Sequence, residues 1–208
     1  MKRLTYSASG LGKKEWQKLQ KLSTPTKIQN YLSSIKFNLE KNGPTFLSPR
    51  KVISEGQAHC FEGALLGATA LWIRGEKPLI LDLVAEDPDF DHVVALYKRN
   101  GFWGAISKTN HSVLRYREPV FKSMRELALS YMHEYFLKDG RKTLRLYSKP
   151  FDLSKLGTDW IASEESLMYI AEKLDELRHL NLLTRDQIRN LRPVDPIERQ
   201  VSEVAEWN

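Results

Sequence analysis

The sequence predicts an α+β fold in which an antiparallel sheet packs on one buried helix, and three observations carry that expectation. "GQAHCFEGALLGATALW" (56–72) places Leu65, Ala68, Leu71 and Trp72 at three- and four-residue steps, with so many Ala and Gly residues on its faces that the helix belongs in the core. Three strand-like runs then follow: "PLILDLVA", "HVVALYK" and "FWGAISK", the last two joined across "RNG" with Asn100-Gly101 at the hairpin tip. A buried helix leading into three antiparallel strands is an α+β pattern. With 208 residues, 41% of them hydrophobic, the chain can bury one substantial core without a disulfide or a metal.

The remaining elements read from their start and stop signals. Thr24 and Pro25 occupy N-cap and first-turn positions, and Ile28, Tyr31, Leu32 and Ile35 continue at helical spacing until Asn42-Gly43, which predicts a first amphipathic helix. "GPTFLSPRKVISEGQ" reads as a turn-rich connector. The buried helix stops at Arg74-Gly75, and "EDPDFD" is an acidic turn between strands. "SMRELALSYMHEYFLKDG" predicts a third helix closed by Gly140, and "KTLRLYSK" alternates as a further strand. The domain thus expected spans 1–150. Beyond it, 151–208 reads as a helical extension, a helical hairpin whose second helix opens with the capping box Thr184 to Gln187.

Charge and composition exclude several classes. The net charge of +6 is spread among acids, densest at "RYREP" and "KDGRK", and no nucleic-acid motif accompanies it, so a basic solvated surface is expected rather than a nucleic-acid partner. No apolar run reaches membrane-spanning length, and the first residues lack the apolar core of a secretory signal, so a cytoplasmic protein without a membrane partner is expected. The single cysteine excludes an internal disulfide. The five histidines, at 59, 92, 111, 133 and 179, show no metal-binding spacing, so no metal or other cofactor is expected.

Cys60 is either a small core residue or a nucleophile. It opens a helix, where unpaired N–H groups and the dipole favour a thiolate. Lowering a thiol from about 8.5 to near 7 takes roughly 2 kcal/mol, whereas a helix terminus supplies about 0.3–1 kcal/mol. A cation must provide the rest, and a histidine is the usual one. His59 is adjacent in sequence, but side chains of helix neighbours point about 100° apart, which predicts poor contact. His111, His133 and His179 read as surface or boundary residues. His92 begins a strand that can meet a helix tip, so it is the expected partner. In the hairpin register set by Asn100-Gly101, Thr109 lies opposite His92 and Ser107 is diagonal to it on the same face. Asn110 alternates to the other face unless the strand ends first.

This order of residues resembles the transglutaminase-like superfamily, which shares the papain-like cysteine proteinase fold. The nearer pattern is that of uncharacterised bacterial members carrying "AHCFEGALLGA", "DHVVALY", "WGAISKTN" and "LRYREPVF", and the likeness covers roughly 24–150. The resemblance implies Cys60 as nucleophile, His92 as general base and the residue after "WGAI" as the group that orients the imidazole. That residue is Ser107, where the family pattern has Asp; a hydroxyl can fix the ring's tautomer but brings no charge. Asn110 is the alternative third member, and Asp82 a further candidate. Gln57 is a candidate oxyanion donor or a loop cap, while Trp103 with Arg115 or Arg117 lines a cleft or serves core and surface.

Two functions follow as expectations. The first is cysteine-dependent acyl transfer on a peptide or other amide-containing substrate, with hydrolysis expected before cross-linking because water needs no second binding site. The alternative is a catalytically inactive module of the same fold that binds a peptide or protein partner.

Overall fold

The protein is described by a computed structural model covering residues 2–206; residue 1 of the amino-terminal stretch and residues 207–208 of the expected extension lie outside the described residues. Two short helices, α1 (Tyr6–Ser9) and α2 (Lys13–Lys21), precede α3 (Pro25–Ser34), which opens as expected with Thr24 accepting the Lys27 N–H and Pro25 in the first turn. α3 stops earlier than its apolar spacing suggests. Ile35 is already extended, and β1 (Lys36–Phe37) runs parallel to β2 (Gln57–Ala58), with Lys36 N–H on the Gly56 carbonyl and Asn38 N–H on that of Ala58. This pairing overrides helix propensity at residues 35–43. The connector also contains α4 (Pro49–Glu55), N-capped by Ser48 and closed by Gly56 at φ 66°. Its signals, a capping serine before proline and a closing glycine, are present in the sequence but stand too close together to show a period.

α5 (Cys60–Ile73) begins and ends where expected, and every residue from Phe61 to Ile73 is buried. It packs on a seven-stranded sheet made of β3 (Leu79–Ala85), β4 (His92–Arg99), β5 (Phe102–Ile106), β6 (Arg117–Phe121), β7 (Leu144–Ser148), β8 (Phe151–Asp152) and β9 (His179–Asn181). The spatial order is β6-β5-β4-β3-β7-β9, with β8 also on β3, and all the pairings are antiparallel. Strand alternation divides the core. Ile80, Val93, Ala95, Tyr97 and Ile106 face α5, whereas Leu81, Leu83, Val94, Leu96 and Ala105 face α6 (Met124–Leu129) and the aromatic residues after it.

The hairpin keeps the expected register from Arg99↔Phe102 to Ala95↔Ile106, with Asn100 and Gly101 both at positive φ. β5 then ends, so Thr109 does not lie in the ladder opposite His92. The third helix is likewise shorter than read. α6 breaks at Ser130, whose carbonyl and hydroxyl are taken by Arg117 Nη2 and Nε at 3.1 and 3.0 Å, and a separate helical turn follows at Met132–Glu134.

Residues 151–206 do not form the expected helical hairpin. α7 (Met168–Asp175) stops before His179–Asn181, which pairs with β7, and only α8 (Arg185–Arg189), opened by the expected Thr184–Gln187 capping box, and α9 (Pro196–Ser202) follow. Trp160, Ile161, Leu167, Ile170 and Leu174 are buried in the core that surrounds α5. The segment therefore contributes two strands and part of the main core rather than a separate helical appendage. Among the described residues, no helix is long and apolar enough to cross a membrane.

Two glycines set how closely α5 meets the sheet. A Cβ on Gly67 would lie 3.1 Å from the Ala95 Cβ, and one on Gly63 would lie 2.5 Å from the Lys108 Cβ. Gly63→Ala must displace either the helix or the segment after β5, at a cost of about 1–3 kcal/mol. Urea unfolding is expected to show that loss, whereas Gly43→Ala, which meets nothing within 4 Å, gives a control limited to its positive backbone φ.

Candidate active site

The site forms where the first residue of α5 meets the first residue of β4. A cleft of about 410 Å³ contains Cys60 and His92, with Phe37, Leu39, Phe90 and Tyr135 among its walls. Ser107 stands just past the end of β5, and α3 fixes it there: Gln29 accepts the Ser107 N–H at 2.9 Å and donates to its carbonyl at 2.8 Å. The amide of Gln29 thus replaces the ladder partner that Ser107 loses when the strand ends.

His92 is 5% exposed, and its Nε2 lies 2.7 Å from Ser107 Oγ. Ser107 Oγ also lies 2.6 Å from the Leu114 carbonyl, which can only accept. The hydroxyl proton therefore goes to Leu114, and Ser107 Oγ accepts the Nε2–H of His92. This assigns the tautomer and leaves Nδ1 for the thiol. Leu114 is itself held with φ at 60°, a conformation that costs a β-carbon residue about 1–2 kcal/mol, while its N–H is fixed by Glu134 Oε2 at 2.7 Å. The expected His92–Ser107 pairing is present, although the sequence does not reveal that Leu114 orients it.

His59 corrects the sequence reading. It is the N-cap of α5, with extended backbone, so the 100° separation of neighbours within a helix does not apply to it. Its ring interacts with the thiol, and its Nε2 lies 2.8 Å from the Thr45 carbonyl and 3.3 Å from Glu62 Oε1. Burial opposes charge on this ring, but hydrogen bonds and charge from Cys60 and Glu62 outweigh burial and raise its pKa to about 11. Cys60 has two imidazole partners. Burial pushes its thiol up, while hydrogen bonds and charge from His59 and His92 pull it well below the usual thiol range.

Glu62 supports this arrangement. It is fully buried, and it accepts from Thr45 Oγ1 at 2.8 Å, from the N–H groups of Leu47 and His59 at 2.9 Å each, and from Asn38 Nδ2 at 3.1 Å. Burial disfavours its charge, but the His59 ring and these donors hold the carboxylate ionised, with its pKa lowered to about 2. Glu62 was missed in the sequence because, three residues after an N-cap, it reads as an ordinary helix-capping acid.

The other candidates lie elsewhere or play other parts. Asn110 is buried in the cleft wall, but Ser107 rather than Asn110 holds His92, and the Asn110 carbonyl accepts the Glu206 N–H. Asp82 is paired with His179 Nε2 at 3.1 Å, so it fastens β9 to the sheet instead of orienting His92; burial and the charge of Asp91 push its carboxyl up to about 7, against the opposing pull of His179. Gln57 donates its amide to Glu55 at 3.0 Å and is not among the residues of the thiol cleft. Trp103 lies under the Lys98 ammonium, Arg117 pairs with Glu134, and Arg115 pairs with Glu206; none of the three lines the cleft. His111 does line it, while His133 is exposed. Lys108, 2% exposed, donates Nζ to the Ile35 carbonyl at 2.7 Å, and burial lowers its pKa to about 8. Among the described residues, no group of three or more His, Cys, Asp or Glu side chains could hold a metal.

No protein-family model matches the chain, and no curated protein matches it.

The depressed Glu62 pKa implies a pH-dependent stability. A carboxyl with folded pKa near 2 and unfolded pKa near 4.5 contributes roughly 3 kcal/mol above the unfolded value, and the contribution is lost as pH falls from 4.5 through 2. Glu62→Gln is expected to lower stability by about 3 kcal/mol at pH 7, with the gap from wild type narrowing toward pH 2. Urea unfolding at pH 7, 4 and 3 measures this; a constant gap would assign the acid sensitivity to another group.

Proposed function

We propose that the protein is a cysteine-dependent acyl-transfer enzyme acting on a peptide or other amide, with hydrolysis as its outcome. The observation that carries this reading is a thiol in an open cleft between two imidazoles, one of them oriented from behind by a serine hydroxyl. It also fits the transglutaminase-like resemblance of the sequence, with Cys60, His92 and Ser107 in matching order.

In the proposed reaction the Cys60 thiol passes its proton to Nδ1 of His92, the resulting thiolate attacks the amide carbonyl carbon, and the π electrons move to the carbonyl oxygen. Collapse of that intermediate expels the amine, which takes a proton from Nδ1 of His92. A thioester on Cys60 remains. Water, deprotonated by the same nitrogen, then attacks the thioester and releases the acid and the thiolate. Ser107 keeps the ring in the required tautomer through both steps.

The two histidines divide this work. A ring whose pKa is raised to about 11 holds its proton too tightly to pass it to a leaving amine near neutral pH. His59 therefore serves as a fixed cation that favours the thiolate, and His92 carries the proton. Phe37, Leu39 and the 86%-exposed Phe90 give the cleft an apolar side suited to a peptide side chain.

One observation favours a second reading, a non-catalytic module that binds a peptide or protein partner in the same cleft: the group behind His92 is an uncharged hydroxyl. Under that reading Cys60→Ala leaves partner binding intact, whereas acyl transfer is abolished by it.

Alkylation of Cys60 by iodoacetamide, followed against pH, tests the ion pair. Wild type is expected to react with a midpoint well below about 8.5, His92→Ala and His59→Ala each to raise it part of the way, and the double variant to restore it. Turnover of a peptide amide is expected to fall about 10²- to 10⁴-fold in His92→Ala and less in His59→Ala. An ordinary wild-type midpoint would sink the mechanism.

A further inference from the structure

Tyr135 is 2% exposed, and among the described residues its hydroxyl has no hydrogen-bond partner. Buried hydroxyls are nearly always paired, and leaving one unpaired costs free energy, so this group calls for a role outside the fold's own bonding. Its place suggests one. Tyr135 lines the cleft that holds Cys60 and His92, and the charged groups that act on its hydroxyl are Cys60, Asp89, Asp91 and Asp82.

The proposed reaction needs donors for the oxygen that becomes negative when the thiolate attacks. The first turn of α5 offers backbone N–H groups with no intrahelical acceptor. Of the side-chain amides in this region, Gln57 donates to Glu55 and Asn38 donates to Thr45 and Glu62, which leaves Asn110 in the cleft wall as the one competing amide donor. We propose that the Tyr135 hydroxyl is the side-chain donor that binds the carbonyl oxygen of the acyl group under attack, an assignment that rests on the acyl-transfer reading above.

The step balances without a proton leaving tyrosine. The Sγ–C bond forms, the carbonyl π pair settles on oxygen, and the Tyr135 O–H donates a hydrogen bond to it. Burial, followed by the surrounding anions, pushes this phenol well above its usual range, so it stays protonated while the neighbouring thiol is ionised. The donor is prepared before the substrate arrives, which is the condition under which such a bond favours the transition state over the ground state.

An N-acetyl dipeptide aldehyde tests the assignment, because its carbon bonds Cys60 Sγ and its oxygen occupies the position of the oxyanion. Affinity is read from protection of Cys60 against iodoacetamide. Tyr135→Phe is expected to weaken the aldehyde about 10²-fold, to leave the rate and pH midpoint of alkylation unchanged, and to melt no lower than wild type. Equal aldehyde affinity in Tyr135→Phe and wild type overturns the assignment and leaves acyl transfer standing. A lower melting temperature with unchanged affinity overturns it too, by showing that the hydroxyl serves the fold. A wild-type thiolate that alkylates readily but takes no aldehyde overturns the acyl-transfer reading, and this assignment with it.

Discussion

One of the two imidazoles at the thiol depends on a carboxylate, Glu62, that is not among the residues lining the cleft. Glu62 is charged in the core because four protein donors converge on it, from Asn38, Thr45, Leu47 and the backbone of His59, and the His59 ring pairs with it at 3.3 Å. A buried charge without such partners would cost several kcal/mol and would neutralise itself instead. Cys60, and after it Glu62, hold the His59 ring cationic against burial, and His59 together with His92 stabilises the Cys60 thiolate. The signs alternate from Glu62 to His59 to Cys60, so no member of the series is a lone charge in a low dielectric.

The fold exists around that series in a specific way. Asn38 and Thr45 reach Glu62 only because α3 ends at Ser34 and the chain pairs with β2, which brings residues 36–38 beside the start of α5. On the opposite side, Gln29 and Lys108 bind the two ends of the same region, Gln29 to Ser107 and Lys108 to Ile35, while Gly63 gives Lys108 room against the helix. The segment after β5 is thus locked to α3 and α5 at once. Its far end is the strained Leu114, whose carbonyl fixes the serine proton; such local strain persists only where surrounding bonds over-determine it.

Parts of this were legible in the sequence and parts were not. The buried helix and the hairpin register could be read because each rests on local rules, 3.6-residue spacing and a two-residue turn at Asn100-Gly101, whereas the Cys60–His92–Ser107 grouping was what the family resemblance implied. α4 escaped because its capping serine and closing glycine stand too close together to show a period, and the end of α3 escaped because a parallel pairing between residues 36–37 and 57–58 decides it. The carboxy-terminal segment was misjudged for a related reason. "RHLNLL" continues an apolar helical period, yet β7 offers it an open edge, and pairing wins over propensity. His59 and Glu62 look like any helix start in sequence; only the carbonyl of Thr45 and the burial of Glu62 distinguish them.

The substitution of serine for the acid expected behind His92 takes on a different meaning in this setting. A carboxylate at that position has two effects on an imidazole, fixing its tautomer and compensating its positive charge. Here the two effects are separated in space: Ser107 with Leu114 fixes the tautomer of His92, and the carboxylate, Glu62, stands behind the other imidazole. A single ring in the proposed reaction would have to be both a lasting counter-ion for the thiolate and a proton carrier, and the first task opposes the second. In the proposed reaction His59 is the counter-ion of the thiolate, which leaves the proton transfers to His92. The serine is compatible with turnover in that reaction, because the carboxylate acts on the thiol through His59 while Ser107 acts on His92 alone.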